Sequence, residues 1–209
     1  MRKVLISTML AATALTSAPA FAVATYDDLS AWQSAVGSFN RDTDYGSSFS
    51  DITSLALDDG TALGFGSSVN VRDIGGGWST WSGGYTGQVL YSNGANSLSV
   101  SLSAGVNALG FFVEPNPFST YTFNLSLSDG SNQSGSYDGS GGAGFLGFSG
   151  PGITGFTLSS DTDFALGDFY TGGAVPEPAS WALMIFGFGA VGVSMRRAKV
   201  RTRVGYAAA

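Results

Sequence analysis

Cysteine and histidine are both absent from the 209 residues. Without cysteine there is no disulfide framework, no thiol nucleophile and no thiolate metal site. Without histidine the commonest general base and the usual zinc ligand are gone. Charge is scarce, at 11% of residues, and cations are scarcer than acids. Of nine cations, only Arg41 and Arg72 fall between residues 23 and 178, where all fifteen acids lie. Such an acidic body repels phosphate backbones, which argues against nucleic-acid binding. Glutamate is almost missing too: apart from Glu177, the body has only Glu114. No spacing offers the paired carboxylates of a glycosidase. The expectation is therefore a protein that is not an enzyme.

What is abundant points to a β-protein. Glycine reaches 31 residues and aromatics 13%. Leu98, Val100 and Leu102 alternate with serines, and Tyr121, Phe123, Leu125 and Leu127 alternate with polar residues before an Asp129-Gly130 turn. Period-two alternation places one face in a core and the other in water. Shorter apolar runs follow at "ALGFFV", "FLGF", "ITGFTLSS" and "DFALGDFYTG". The polar stretch 130–144 reads as a loop. One short helix is predicted at about 26–36, with Thr25 and Asp28 as a capping box, Leu29, Trp32 and Val36 on one face, and Gly37 at its end. Many short strands with glycine turns and one helix predict an antiparallel β-sandwich, a jelly roll, over residues 23–174.

The two ends are built differently. Arg2 and Lys3 precede an apolar run from Val4 to Leu15, and Ala20-Phe21-Ala22 gives a small-x-small cleavage site. Residues 1–22 thus read as a secretory signal peptide that leaves Val23 as the new N-terminus. Near the other end, no charge lies between Ala179 and Met195, and Arg196, Arg197, Lys199, Arg201 and Arg203 follow. A run of about 17 residues is at the short end of what spans a bilayer, so a transmembrane helix is predicted. The basic flank predicts a cytoplasmic tail and an outside body. Just before the run, Pro176 and Pro178 bracket Glu177 and hold the entry extended.

Pro176-Glu177-Pro178, then Ala179, Ser180, Trp181 and Ala182, then Gly187 to Gly189 and Arg196-Arg197, resemble the PEP-CTERM sorting signal in its PEPxxWA variant. The resemblance covers roughly residues 175–203, with a short tail at 204–209. It implies a Gram-negative bacterial protein exported by the Sec machinery and held for a time in the inner membrane with its body outside. An exosortase, an integral-membrane cysteine protease, would recognise the Pro-Glu-Pro and cleave near it. The released domain would go to the cell surface or an exopolysaccharide-rich biofilm matrix. From Ala108 onward the order of pieces also resembles lectin-like and galactose-binding-like jelly rolls found in such ectodomains, where a late strand carries an aspartate in the place of Asp168.

Gly142, Gly144 and Gly147, and Gly187, Gly189 and Gly192, match G-x-G-x-x-G but lack the strand-turn-helix context of a dinucleotide site. Aspartates pair as Asp42 and Asp44, Asp58 and Asp59, and Asp161 and Asp163. No cofactor and no metal site is expected, with structural calcium as the one alternative. Trp78, Trp81 and Tyr85 sit on a glycine-flanked segment that reads as exposed, and such rings can stack on sugars. A carbohydrate-binding module is the runner-up function. A glycan-active enzyme using Glu114 or Asp168 is the third.

Overall fold

Short runs of apolar residues cut by glycine and serine cannot build long helices, and the computed structural model shows strands almost throughout. It describes residues 23–103, 106–173, 184–189 and 192. In chain order the elements are β1 (Ala24–Tyr26), α1 (Leu29–Val36), β2 (Phe39–Asp42), β3 (Asp51–Ala56), β4 (Ala62–Asp73), β5 (Gln88–Tyr91) and β6 (Ser97–Leu102). Then come β7 (Ala108–Pro115), β8 (Thr120–Leu127), β9 (Asn132–Asp138), β10 (Gly144–Ser149), β11 (Gly155–Ser160) and β12 (Phe164–Gly172).

The twelve strands make one hydrogen-bonded sheet, ordered β1-β10-β7-β12-β5-β4-β6-β11-β8-β9, with β2 added to β12 and β3 to β4. All these pairs are antiparallel. Strand β4 turns the corner: Leu63–Phe65 pair with β6, while Asn70–Asp73 pair with β5. At the end of this path β9 comes back against β1, β7 and β10, so the sheet is barrel-like and nearly closed. The two separate sheets of a sandwich were expected. The continuous ladder through β4 joins them instead.

Inward residues of both halves fill a single core. Phe111 of β7 stacks on Phe156 of β11 with centroids 5.1 Å apart and planes 18° apart. Val71, Val113, Phe123, Leu158 and Phe164 belong to the same core, all at 0% exposure. Outside the sheet, α1 lies on β10 and β7. Its N-cap is Asp28, whose Oδ1 accepts from the Ala31 amide at 2.8 Å. The expected capping box from Thr25 is corrected, because Thr25 belongs to β1 and the helix starts at Leu29. Trp32 is fully buried and donates its indole N–H to the Phe148 carbonyl at 3.0 Å. Gly110 and Gly147, opposite one another on β7 and β10, leave the space for this ring: a Cβ on either would meet Phe145 or Trp32.

The stretch expected as a loop at 130–144 contains β9. Its residues give no apolar alternation, yet all seven pair with β8 beyond the Asp129-Gly130 turn. Tyr137 packs its ring 5.8 Å from Phe123. A polar strand at the end of the sheet path can be held by its ladder and one aromatic contact.

The signal peptide at 1–22 lies outside the described residues, and so do Pro176, Glu177, Pro178, Trp181, Ala182, Arg196 and Arg197. Residues 184–189 are helical, and Met184, Ile185, Phe186 and Phe188 are exposed. Among the described residues no helix is long and apolar enough to cross a membrane.

Core truncation and surface truncation should separate cleanly. Phe111→Ala is expected to lose about 3–5 kcal/mol of unfolding free energy. Phe118→Ala, at a ring that is 65% exposed, should change it by less than about 0.5 kcal/mol. Urea unfolding followed by tryptophan fluorescence measures both.

Candidate functional site

The segment between β4 and β5 folds back on the outside of the sheet. Asp73 accepts the amides of Gly76, Gly77 and Trp78 on its carbonyl, which curls the chain over. Trp78 is then buried, with its indole N–H donating to Glu114 Oε2 at 2.7 Å. Thr80 places its hydroxyl 3.0 Å from Glu114 Oε1, and the Gly141 amide donates to that oxygen at 3.0 Å. Glu114 has no exposure at all. Burial pushes its carboxyl above the ordinary 4.5, against the pull of Trp78, Thr80 and Gly141. One buried carboxylate therefore ties β7 to the 78–81 and 139–141 segments.

Tyr85 is also buried, its hydroxyl donating to the Gln88 carbonyl at 2.6 Å. Trp81 is half-buried, with its ring 6.0 Å from that of Tyr85. The open stacking surface expected of Trp78, Trp81 and Tyr85 is therefore corrected. Their segment covers a core edge, where Trp78 and Tyr85 close over Val89 and Ala165, and Trp81 packs against that cluster.

Asp168 lies next to this patch, at a bulge in β12. Its φ is +53°, a left-handed value that aspartate tolerates better than most residues. Arg41 of β2 donates from Nε to Oδ1 at 2.6 Å and from a terminal nitrogen to Oδ2 at 3.0 Å. The guanidinium carbon lies 5.7 Å from the ring centre of Tyr85 and 5.6 Å from that of Tyr170. The bond to Asp168 raises the pKa of Arg41 further. Burial holds the hydroxyls of Tyr85 and Tyr170 protonated, up to about 12. A carboxylate clamped by a guanidinium is a poor general base, and these phenols are poor nucleophiles. Arg41 was not singled out from the sequence. The signal available was its rarity, as one of two cations in an acidic body.

The aspartate pairs do not stay paired. Asp44 turns back to accept the Gly46 amide at 3.0 Å. Asp42 is buried and accepts the Asp58 amide at 2.7 Å, so β2 meets the β3–β4 turn. Asp163 accepts from Tyr91 at 2.6 Å and from Asn116 at 2.8 Å. Among the described residues, no group of three acidic side chains is placed to hold a metal by itself.

The wet face of β4, β6, β11 and β8 holds an open groove of about 550 Å³. Ser99, Ser101, Ser126, Thr154 and Thr157 line it, with Phe65 and Leu127 among the apolar residues between them. None of its lining residues is charged.

A sequence model of the PEP-CTERM protein-sorting motif matches residues 174–198. The chain therefore carries this sorting motif, which marks it as an exported protein handled by an exosortase. The match includes Pro176 to Ala182 and the first arginines, and stops short of Arg201 and Arg203. No curated protein matches the chain.

The Glu114 knot gives a pH signature. Its carboxyl pKa is higher folded than unfolded, so the folded state keeps the proton to higher pH. The corresponding stability is present below about pH 4.5 and is lost as pH rises through the folded value. Glu114→Gln should remove that part of the slope when urea midpoints are compared from about pH 4 to about pH 7. Glu114→Ala should cost about 1–3 kcal/mol at neutral pH, because Trp78, Thr80 and Gly141 lose their acceptor.

Proposed function

We propose that this chain delivers a non-enzymatic β-domain to the cell surface or the extracellular matrix. In this reading residues 1–22 direct Sec export, and the C-terminal segment parks the body outside the inner membrane. An exosortase then cuts near Pro176 to Pro178, and the freed domain joins an exopolysaccharide-rich layer.

One observation carries the reading. The last strand ends at Gly172 and the sorting match begins at residue 174. A cut near Pro176 would leave every strand of the sheet intact. The two acids that might have served catalysis support the non-enzymatic part, since Glu114 is bound by three donors and Asp168 by Arg41.

A second reading, binding to a neutral glycan, is favoured by the uncharged hydroxyl-lined groove on β4, β6, β11 and β8. Hydroxyls can exchange hydrogen bonds with sugar hydroxyls without the desolvation cost of a charge.

The sorting reading is tested by mass spectrometry of the mature termini in a host with its exosortase and in an exosortase-null strain. The expected product starts at Val23 and ends between Pro176 and Pro178, and that end disappears in the null strain. A C-terminus that keeps Arg203 in both strains would overturn it. For the groove, Thr157→Arg should abolish retardation of the protein in gels containing its host's neutral polysaccharide. Equal retardation of the two proteins would exclude the groove.

A further inference from the structure

Strands β2 and β12 pair with Asp42 opposite Phe169 and Asn40 opposite Thr171. Opposed residues share a face, and Phe169 points into the core, so Asp42 and Thr171 point inward too. Their exposures are 5% and 1%. Among the described residues, each ends in an oxygen without a hydrogen-bond partner, Asp42 Oδ2 and Thr171 Oγ1. A buried carboxylate oxygen left bare is costly, and two bare oxygens on one face call for a common explanation.

The β3–β4 turn closes over them. The Asp58 amide donates to Asp42 Oδ1 at 2.7 Å. Asp59 Oδ1 accepts the Thr61 amide at 2.8 Å. Asp59, Gly60, Thr61, Thr171 and Gly172 line a cavity of about 250 Å³. The Thr171 hydroxyl sits beside the Asp59 carboxylate. Asp58 and Asp59 also add their negative charge to the burial that raises the pKa of Asp42. Both body cations are engaged elsewhere, Arg41 with Asp168 and Arg72 over Phe49 and Tyr91. The orphaned atoms and the nearest charges are all oxygens, and among the described residues nothing positive answers them.

Hard oxygen donors, net negative charge and room for water suit a calcium-class ion, which tolerates irregular geometry better than magnesium does. We propose that the β3–β4 turn and the end of β12 form a calcium site, with the Asp42 and Asp59 carboxylates and the Thr171 hydroxyl as its protein ligands. Water completes the shell. The ion would bridge β2, β12 and the turn, and so brace the last strand before the sorting motif. The site is independent of where the protein is finally deposited.

The test uses the full chain in detergent, stripped with a chelator. Thermal unfolding is followed while calcium chloride is added, with magnesium chloride and sodium chloride of equal ionic strength as controls. The melting temperature should rise saturably with calcium, with a Kd of about 0.1–1 mM. Terbium should show luminescence sensitised by Tyr45, whose hydroxyl donates to the Asp42 carbonyl at 3.1 Å, and calcium should quench it. Asp59→Asn and Thr171→Val should each weaken calcium binding at least about tenfold. Asp129→Asn, at an exposed turn, should leave binding unchanged. Near-ultraviolet circular dichroism checks that each variant folds. The proposal is overturned by a melting temperature that ignores calcium or responds equally to the control salts. It is also overturned if Asp59→Asn and Asp129→Asn behave alike. Asp42 would then simply be protonated in its buried site.

Discussion

Strand β12 changes neighbours at Asp168, from β5 to β2, and the seating of both strands on it depends on how that change is held. On one side β12 pairs with β7 from Phe164 to Gly172. On the other it pairs with β5 over Ala165–Gly167, then with β2 over Phe169–Gly172. The switch needs one extra residue, so Asp168 and Phe169 both oppose Phe111. Inward-facing positions shift in phase there, from Phe164 and Leu166 before the bulge to Phe169 after it. The amide that the bulge removes from the ladder donates to the Tyr45 hydroxyl at 2.7 Å, and that hydroxyl donates on to the Asp42 carbonyl. Arg41 clamps the carboxylate on the other face. A left-handed aspartate in the middle of a strand is thus held at both its backbone and its side chain.

The same economy runs through the rest of the molecule. With no cysteine or histidine and two cations in the body, the cross-links between segments must come from carboxylates, indoles and phenols. Glu114 joins three segments, Asp163 joins Tyr91 to Asn116, and Trp32 fixes α1 to β10. The residues that look most chemical are therefore occupied in holding the outer layers to the barrel. An uncharged groove lined by hydroxyls and apolar side chains lies on the far half. This division of labour suits an exported domain without disulfides.

Legibility in the sequence followed physical range. The sorting motif is linear, so its residues could be read directly. Strands β6 and β8 were legible because Leu98, Val100, Phe123 and Leu125 alternate strictly and are buried. The helix was legible from Leu29, Trp32 and Val36, but its start was misplaced because Asp28 caps it alone. Strand β9 was missed because pairing with β8, rather than an apolar face, holds it. The join of the two sheet halves in β4 was not visible either, since Gly64, Gly66 and two serines blur its alternation. The burial of Trp78 could not be foreseen, because its partner Glu114 is 36 residues away. Nor does any local pattern announce that Asp42 meets the Asp58-Asp59 turn.

The central claim is that Arg41 and Asp168 act as one structural unit at the bulge. A double-mutant cycle with Arg41→Gln, Asp168→Asn and the pair, followed by urea unfolding, tests it directly. The account requires a coupling of about 0.5–3 kcal/mol, with the double variant little worse than the worse single one. Losses that simply add, to within about 0.3 kcal/mol, would mean that the clamp does not hold the bulge and that another contact does.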